Sequence, residues 1–243
     1  MSKKNRIRLF TDTPLKIGEI YTANENQTHY LKNVMRLGLG DEVFLFDGIN
    51  GEFESQILEI GKKTLSLKVN KKIFDFEKSP DVWLLFASLK KENTDIVIQK
   101  AVELGVSKIF PVQTEYTFNA HLKPERVKAQ VIEAAEQCRR QDVPEVQNLQ
   151  NLQQILSNWD KNRTLVYLDE TGSGETFAKA SSKMKAPVAF LIGPEGGFSL
   201  REFELLKSLS YTLSVSLGKR ILRAETASIS ALSCWQAMVG DWK

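Results

Sequence analysis

Residues 187–232 read PVAFLIGPEGGFSLREFELLKSLSYTLSVSLGKRILRAETASISAL, and no other stretch so narrows what this chain can fold into. Two buried-looking strands, 188–192 and 212–217, each pass straight into a glycine-containing loop, and each loop passes into a helical pattern. The first loop is Gly193-Pro194-Glu195-Gly196-Gly197 and the second is Gly218-Lys219-Arg220-Ile221-Leu222-Arg223. Short continuous apolar runs suit strands buried on both faces. Strand, glycine loop, helix is the repeating unit of an α/β sheet. Ligands bind at the carboxyl ends of such strands, where backbone N–H groups and helix N-termini point into the crevice. Two such loops predict a small-molecule site with walls made largely of backbone.

The preceding residues extend this pattern. Apolar runs at 82–87, 108–112 and 164–168 read as further buried strands, and helices are predicted at 93–104 and 124–140. Val97, Ala101 and Leu104 form the core face of the first helix, with Gly105 as its C-terminal cap. Val127, Val131, Ala134 and Cys138 face inward on the second. It closes in Arg139-Arg140, where positive charge favours a helix end; substrate contact competes evenly with that role. Alternating strands and helices predict a parallel sheet. Ser199 and Glu202 fit a capping box after the first glycine loop. The final helix, about 224–239, is apolar on two sides, which suits packing against a partner subunit better than crossing a core.

Residues 1–72 read differently. Short strands at 6–10, 17–21, 42–46, 52–59 and 64–70 surround one helix at 25–35 with Leu31, Val34 and Met35 on a common face. Asp47-Gly48 and Asn50-Gly51 mark a hairpin. This predicts a small barrel. The charged segment 71–80, ending in proline, is taken as the boundary between a domain of residues 1–72 and one of residues 73–243.

Composition excludes several classes. At 42% apolar and 26% charged residues, the chain is that of a globular protein. No run approaches the roughly 20 apolar residues needed to span a bilayer, and MSKKNRIRLF lacks the apolar core of a signal peptide, so a cytoplasmic protein is expected. Two histidines, His29 and His121, argue against a histidine-ligated metal, and no metal is predicted. His29 is expected to pack within the small domain. Cys138 and Cys234 lack CxxC spacing and read as buried thiols. Neither GxGxxG nor GxxxxGK[ST] occurs, so nicotinamide chemistry and nucleotide hydrolysis lose their usual signals. The net charge of +3 is unevenly placed: residues 1–72 carry 12 Lys and Arg against 9 Asp and Glu, and the remainder carries 21 of each. A basic N-terminal region suits a polyanion gripped at one end, although a solvated basic surface explains the charge as well.

LIGPEGGFS followed by LGKRILRAETA resembles the C-terminal signature of the RsmE family of rRNA methyltransferases, of the SPOUT superfamily. The resemblance extends to Ile98–Val106, to Glu136-Gln-Cys-Arg139 with Val143-Pro-Glu145, and to His29-Tyr30-Leu31, Val34-Met35-Arg36 and Leu45-Phe46-Asp47-Gly48. It implies an α/β fold whose C-terminal SPOUT domain carries a parallel sheet and a deep trefoil knot around S-adenosyl-L-methionine. It also implies a small PUA-like β-barrel RNA-binding domain and a homodimer with the cofactor near its interface. The implied activity is methylation of N3 of one uridine, position 1498, in the 16S rRNA of the small ribosomal subunit.

By the same resemblance, Leu168, Ile192, Gly193, Leu217, Ile221 and Leu222 line the adenine slot, with Arg220 and Ala227 beside it. Gly193, Gly196 and Gly218 allow close backbone approach, and Pro194 stiffens the first loop. Uracil N3 is a poor nucleophile until its proton leaves, which calls for a base near N3 and a cation near the carbonyl oxygens. Arg223 is the expected cation, since arginine keeps its charge. Glu195, which also borders the cofactor, and Glu225 are candidate bases; a hydrogen bond to backbone is the simpler role for Glu225, and solvent could serve as base. Arg6, Arg8, Arg36, Arg139 and Arg140 are expected to hold rRNA phosphate, with Arg8 reaching a partner's active site. Ala224 stands where the family commonly has Thr. A related enzyme acting on tRNA or a ribose hydroxyl, and a non-catalytic ribosome-assembly protein, are the competing readings. The intact glycine loops argue against the latter.

Overall fold

The computed structural model describes residues 6–117 and 122–242; His121 lies outside them. The chain forms two compact units, one comprising residues 1–78 with 135–143 and the other residues 79–134 with 144–243.

The first unit is a five-stranded sheet in the order β1-β3-β4-β5-β2, built from β1 (Arg8–Phe10), β2 (Ile20–Ala23), β3 (Glu42–Phe46), β4 (Glu52–Ile60) and β5 (Leu65–Phe74). β1 and β3 run parallel and the other pairs antiparallel. Val43 and Leu45 on β3 flank the half-exposed Phe44, Leu65, Leu67 and Val69 on β5 alternate with more exposed neighbours, and the buried set makes the core with Leu9, Leu31 and Ile57. β5 runs past its predicted end at Asn70 because Glu52 at the start of β4 pairs with Phe74.

The predicted helix at 25–35 is α-helical only as α1 (Glu25–His29) and continues as a π-helical turn, Tyr30–Val34. The Met35 N–H reaches the Tyr30 carbonyl at 2.9 Å, five residues back, and this wider turn leaves Val34 exposed instead of on the core face. His29 is also exposed, its ring bonded among the described residues to Asn33, and does not pack in the core.

The second unit holds a wholly parallel eight-stranded sheet. Its elements are β6 (Val82–Ala87), α2 (Lys91–Glu103), β7 (Lys108–Gln113), α3 (Pro124–Cys138, whose last four residues group with the first unit), β8 (Glu145–Val146), β9 (Gln150–Asn151) and α4 (Leu152–Ser157). There follow β10 (Thr164–Leu168), β11 (Glu175–Thr176), α5 (Phe177–Ala180), β12 (Val188–Ile192), α6 (Leu200–Ser208), β13 (Thr212–Ser216) and α7 (Ala224–Met238). The strand order is β11-β13-β10-β12-β6-β7-β8, with β9 also on β7. β12 is buried at every residue, as its unbroken apolar sequence demands of a central parallel strand. Because β13, β10 and β12 are neighbours in parallel register, their carboxyl-terminal loops open on one end of the sheet.

α3 ends at Cys138, two residues earlier than predicted, with Arg139 at φ +66°. Cys138 and Cys234 are half-buried rather than buried, since each lies at the margin of its helix's apolar stripe. On α7 the expected stripes are uneven: Ala227, Ala231, Leu232 and Trp235 are buried while Met238 is exposed. No described helix is long and apolar enough to cross a membrane.

The capping box forms as read. Ser199 Oγ accepts from the Glu202 N–H at 3.2 Å, and Glu202 Oε2 accepts from the Ser199 N–H at 3.0 Å. Ser199→Ala is expected to cost about 1 kcal/mol, read as a fall of roughly 2–4 °C in melting temperature.

Candidate active site

The loops after β10, β12 and β13 enclose a cavity of about 630 Å³ in the second unit, within the range of small-molecule sites. Leu168 to Thr171 form one wall, Ile192 to Glu195 with Gly197 and Phe198 another, and Leu217, Gly218 and Arg220 to Arg223 the third. Ala224 and Ala227 of α7 close one end, and Lys90, the N-cap of α2, and Asn93 in its first turn also line the cavity.

Two glycines show why the walls are backbone. A Cβ on Gly193 would lie 3.1 Å from the Phe198 ring. Gly197 adopts φ +71°, and a Cβ there would sit 2.2 Å from Glu170 Oε1. Gly218 also needs its freedom, at φ +105°. The same loop is fixed from behind. Glu202 is buried, and while one carboxylate oxygen closes the α6 cap the other accepts the Glu115 N–H at 3.0 Å.

The wall after β10 is built around Asp169, which is buried yet fully bonded. Oδ1 accepts from the Thr171 N–H at 2.8 Å and its hydroxyl at 2.6 Å. Oδ2 accepts from the hydroxyls of Ser173 at 2.8 Å and Ser214 at 3.0 Å. Burial pushes this carboxyl up, but the hydrogen bonds from Thr171, Ser173 and Ser214 outweigh it and hold Asp169 below the usual carboxylate range. The folded state therefore favours the ionised form. Its stabilising contribution is complete above the ordinary carboxylate pKa of about 3.9 and is lost as pH falls through the lower folded value. Asp169→Asn, which keeps the shape and removes the charge, is expected to loosen this wall at neutral pH. Hydrogen exchange at the Thr171 amide should accelerate at least about tenfold, by the loss of one charge-assisted bond; an unchanged rate counts against this role.

Charged groups edge the cavity without internal partners. Among the described residues Lys90, Glu170, Glu195, Arg220 and Arg223 make no side-chain hydrogen bond or ion pair while lining it. Arg223 is the N-cap residue of α7, but its side chain makes no capping bond. Glu225, one residue on, does not take the backbone hydrogen bond expected of it; its Oε2 is buried with no partner. Two large apolar residues stand at the rim, Leu200 and Ile221, each 82% exposed.

Of the residues predicted to hold a cofactor, Leu168, Ile192, Gly193, Pro194, Glu195, Leu217, Gly218, Arg220, Ile221, Leu222 and Ala227 all line this cavity, as does Arg223. Gly196 does not. Its open side faces Tyr116, whose Cβ would lie 3.4 Å from an added Cβ. Lys90, Asn93, Asp169, Glu170 and Thr171 were not among the residues expected to touch the cofactor. The rule that ligands gather at carboxyl strand ends, applied equally to β6 and β10, points to them.

The predicted RNA contacts divide. Arg8 is 4% exposed, ion-paired to Glu52 at 3.0 Å and donating to the carbonyl oxygens of Ala135 and Glu136 at 3.0 Å and of Arg140 at 2.8 Å. It stacks over Phe46 as well, so its charge is consumed inside the first unit and is not offered to RNA. Arg140 is likewise largely buried, against Asp142 at 3.0 Å. Arg6 is a quarter exposed and paired with Glu52 at 2.9 Å. Arg36 and Arg139 remain exposed.

Comparison with known proteins gives two family matches, an RNA methyltransferase domain over residues 77–236 and an RNA methyltransferase PUA domain over residues 23–70. The ribosomal RNA small subunit methyltransferase E of Rickettsia conorii is 35% identical over 217 residues, covering 88% of each chain. That of Buchnera aphidicola (subsp. Schizaphis graminum) is 33% identical, covering 98% of this chain and 99% of its own. Among solved structures, the corresponding enzyme of Neisseria gonorrhoeae bound to S-adenosyl methionine superposes with a TM-score of 0.88 at 26% identity, covering 98% of this chain and all of that one.

Proposed function

The chain belongs to the ribosomal RNA small subunit methyltransferase E family, and from that premise we propose that it methylates N3 of uridine 1498 in 16S rRNA, using S-adenosyl-L-methionine. The observation that carries this is the cavity itself: three strand-end loops, with Gly193, Gly197 and Gly218 in its lining, edged by Arg223 and Glu195, whose side chains have no partner among the described residues. These residues fit the cofactor. Its adenine is flat and neutral, and suits backbone amides and carbonyls between Leu168, Ile192, Leu217 and Leu222. When bound, it supplies a methyl group activated by the sulfonium.

The chain's own residues do the rest. Arg223 stabilises the charge that spreads onto the uracil carbonyl oxygens as the N3 proton departs. Glu195 accepts that proton, directly or through solvent. Aligning nucleophile and methyl group lowers the barrier further by positioning alone.

The same reading assigns residues 1–72 to RNA recognition and residues 73–243 to methyl transfer, with the trefoil knot in the latter. It also makes the protein a cytoplasmic homodimer through the C-terminal domain. The buried, unpartnered Glu225 Oε2 and the exposed Leu200 and Ile221 support a second copy near the cavity. The test is transfer of labelled methyl from S-adenosyl-L-methionine to small ribosomal subunits lacking the modification. Stoichiometric incorporation into 16S rRNA is expected; incorporation into tRNA alone would reject the assignment. Light scattering should give twice the 27.5 kDa chain mass.

A further inference from the structure

Two acidic residues stand side by side on the wall after β10, and the fold treats them oppositely. Asp169 is buried and accepts four hydrogen bonds, from Thr171, Ser173 and Ser214, while its N–H donates to the Val215 carbonyl at 2.8 Å. These bonds fix the backbone from which Glu170 extends. The Glu170 carboxylate lines the cavity and has no hydrogen bond or ion pair among the described residues. A free carboxylate at a rim is ordinarily a solvated one, but this side chain crosses to the facing wall. Its Oε1 lies 2.2 Å from where a Cβ on Gly197 would be, so it occupies space that only a glycine leaves open. Tying the loop is not its task there, since the Gly197 N–H donates to the Pro194 carbonyl at 2.9 Å.

Lys90, Arg220 and Arg223 line the same cavity, yet none of the three pairs with Glu170. A carboxylate in a partly enclosed site gains most from a counter-charge brought to it. The order of residues along each wall indicates which. Leu168 and Ile192 are the last residues of β10 and β12, so the apolar slot for adenine lies at the strand ends. Glu170 and Glu195 stand two and three residues further along their loops, beyond that slot. The cofactor divides the same way, into a neutral adenine and a sulfonium whose positive charge no proton loss can remove. A sulfonium has no N–H or O–H to donate and is held by charge alone, which a carboxylate free of other bonds supplies. Glu195, assigned to the N3 proton, precedes Gly197 by two residues, and this sets Glu170 at the reacting end of the cavity.

We infer that Glu170 senses the charge of the cofactor, as the counter-charge to the sulfonium that distinguishes S-adenosyl-L-methionine from its demethylated product. Transfer breaks the S–CH3 bond, leaves that electron pair on sulfur and forms the N3–CH3 bond where the N3 proton has left. The sulfonium thereby becomes a neutral thioether, and its attraction to Glu170 ends with the reaction. Glu170 thus favours exchange of spent product for fresh cofactor. The inference rests on the proposed use of S-adenosyl-L-methionine in this cavity, and not on which RNA is methylated.

The test is calorimetric titration of the full chain, without RNA, by S-adenosyl-L-methionine and separately by S-adenosyl-L-homocysteine. Glu170→Gln keeps the shape of the side chain and removes its charge. Affinity for S-adenosyl-L-methionine should fall about tenfold, the scale of one charge pair in a partly solvated site. Affinity for S-adenosyl-L-homocysteine should stay within about twofold, so the ratio of the two shifts by nearly the whole effect. A general loosening of the cavity would weaken both ligands together and cannot imitate that shift. Gly197→Ala, which drives a Cβ onto the carboxylate, should move the ratio the same way, and adding Glu170→Gln to it should move it little further. An unchanged ratio in Glu170→Gln, or equal weakening of both ligands, overturns the inference. A predicted shift in the ratio from a protein whose wild type methylates no small subunit would instead strike the proposed function and leave the role of Glu170 standing.

Discussion

Arg223→Ala is expected to lower kcat for methyl transfer by about 10²- to 10³-fold, the loss typical of removing one preorganised donor aimed at developing charge. Affinity for S-adenosyl-L-methionine should stay within about threefold of wild type, because an interaction made mainly in the transition state leaves ground-state binding nearly untouched. The structure supports this separation. Arg223 is exposed, makes no capping bond to α7 and has no internal partner, so its removal should cost little stability. It also lines the same cavity as Glu195, Gly193, Gly197 and Gly218. Arg223→Lys should recover part of the rate, since a point charge answers the uracil oxygens without the planar fork. A kcat unchanged in the alanine variant would remove Arg223 from the reaction.

Arg8→Ala should act on the fold instead. Its guanidinium meets Glu52, three backbone carbonyls and the Phe46 ring inside the first unit, with Arg8 4% and Glu52 3% exposed. Truncation leaves Glu52 without one of its two arginines and removes three of the bonds that tie residues 135–143 to β1, leaving the Phe10 N–H on the Glu136 carboxylate at 2.9 Å. Breaking a buried pair from one side costs about 3–5 kcal/mol, to be read as a shift of the urea midpoint for the first unit. Arg8→Ala with Glu52→Ala together should cost less than the two singly, because the second change removes the stranded charge. A variant that unfolds like the wild type but transfers no methyl would restore the role in catalysis that the sequence had suggested for Arg8.

That contrast shows what could be read directly. The strands of the parallel sheet were plain because 82–87, 164–168 and 188–192 are unbroken apolar runs, and a central parallel strand has no other way to look. The cavity followed from them, since glycine loops at neighbouring strand ends have one place to converge. Charge was harder. Arg8 and Arg36 are the same residue type in the same basic region, and only the Glu52 carboxylate and the carbonyls at the end of α3, more than 120 residues away in sequence, decide that Arg8 is buried. No local pattern announces that the end of α3 groups with the first unit. The π-helical turn at Tyr30–Val34 was equally hidden, because it keeps the composition of an α-helix while moving Val34 off the core face. Gly196 stands outside the cavity lining with its open side toward Tyr116, a placement that a glycine in a loop does not announce.

The most direct measurement is the identity and position of the methylated nucleoside. Small subunits lacking the modification would be incubated with the protein and S-adenosyl-L-methionine, and the 16S rRNA digested and analysed by mass spectrometry. The account predicts a single added methyl, recovered as 3-methyluridine at position 1498 and absent with Arg223→Ala. A methyl on a ribose, on another base or at another position would contradict it.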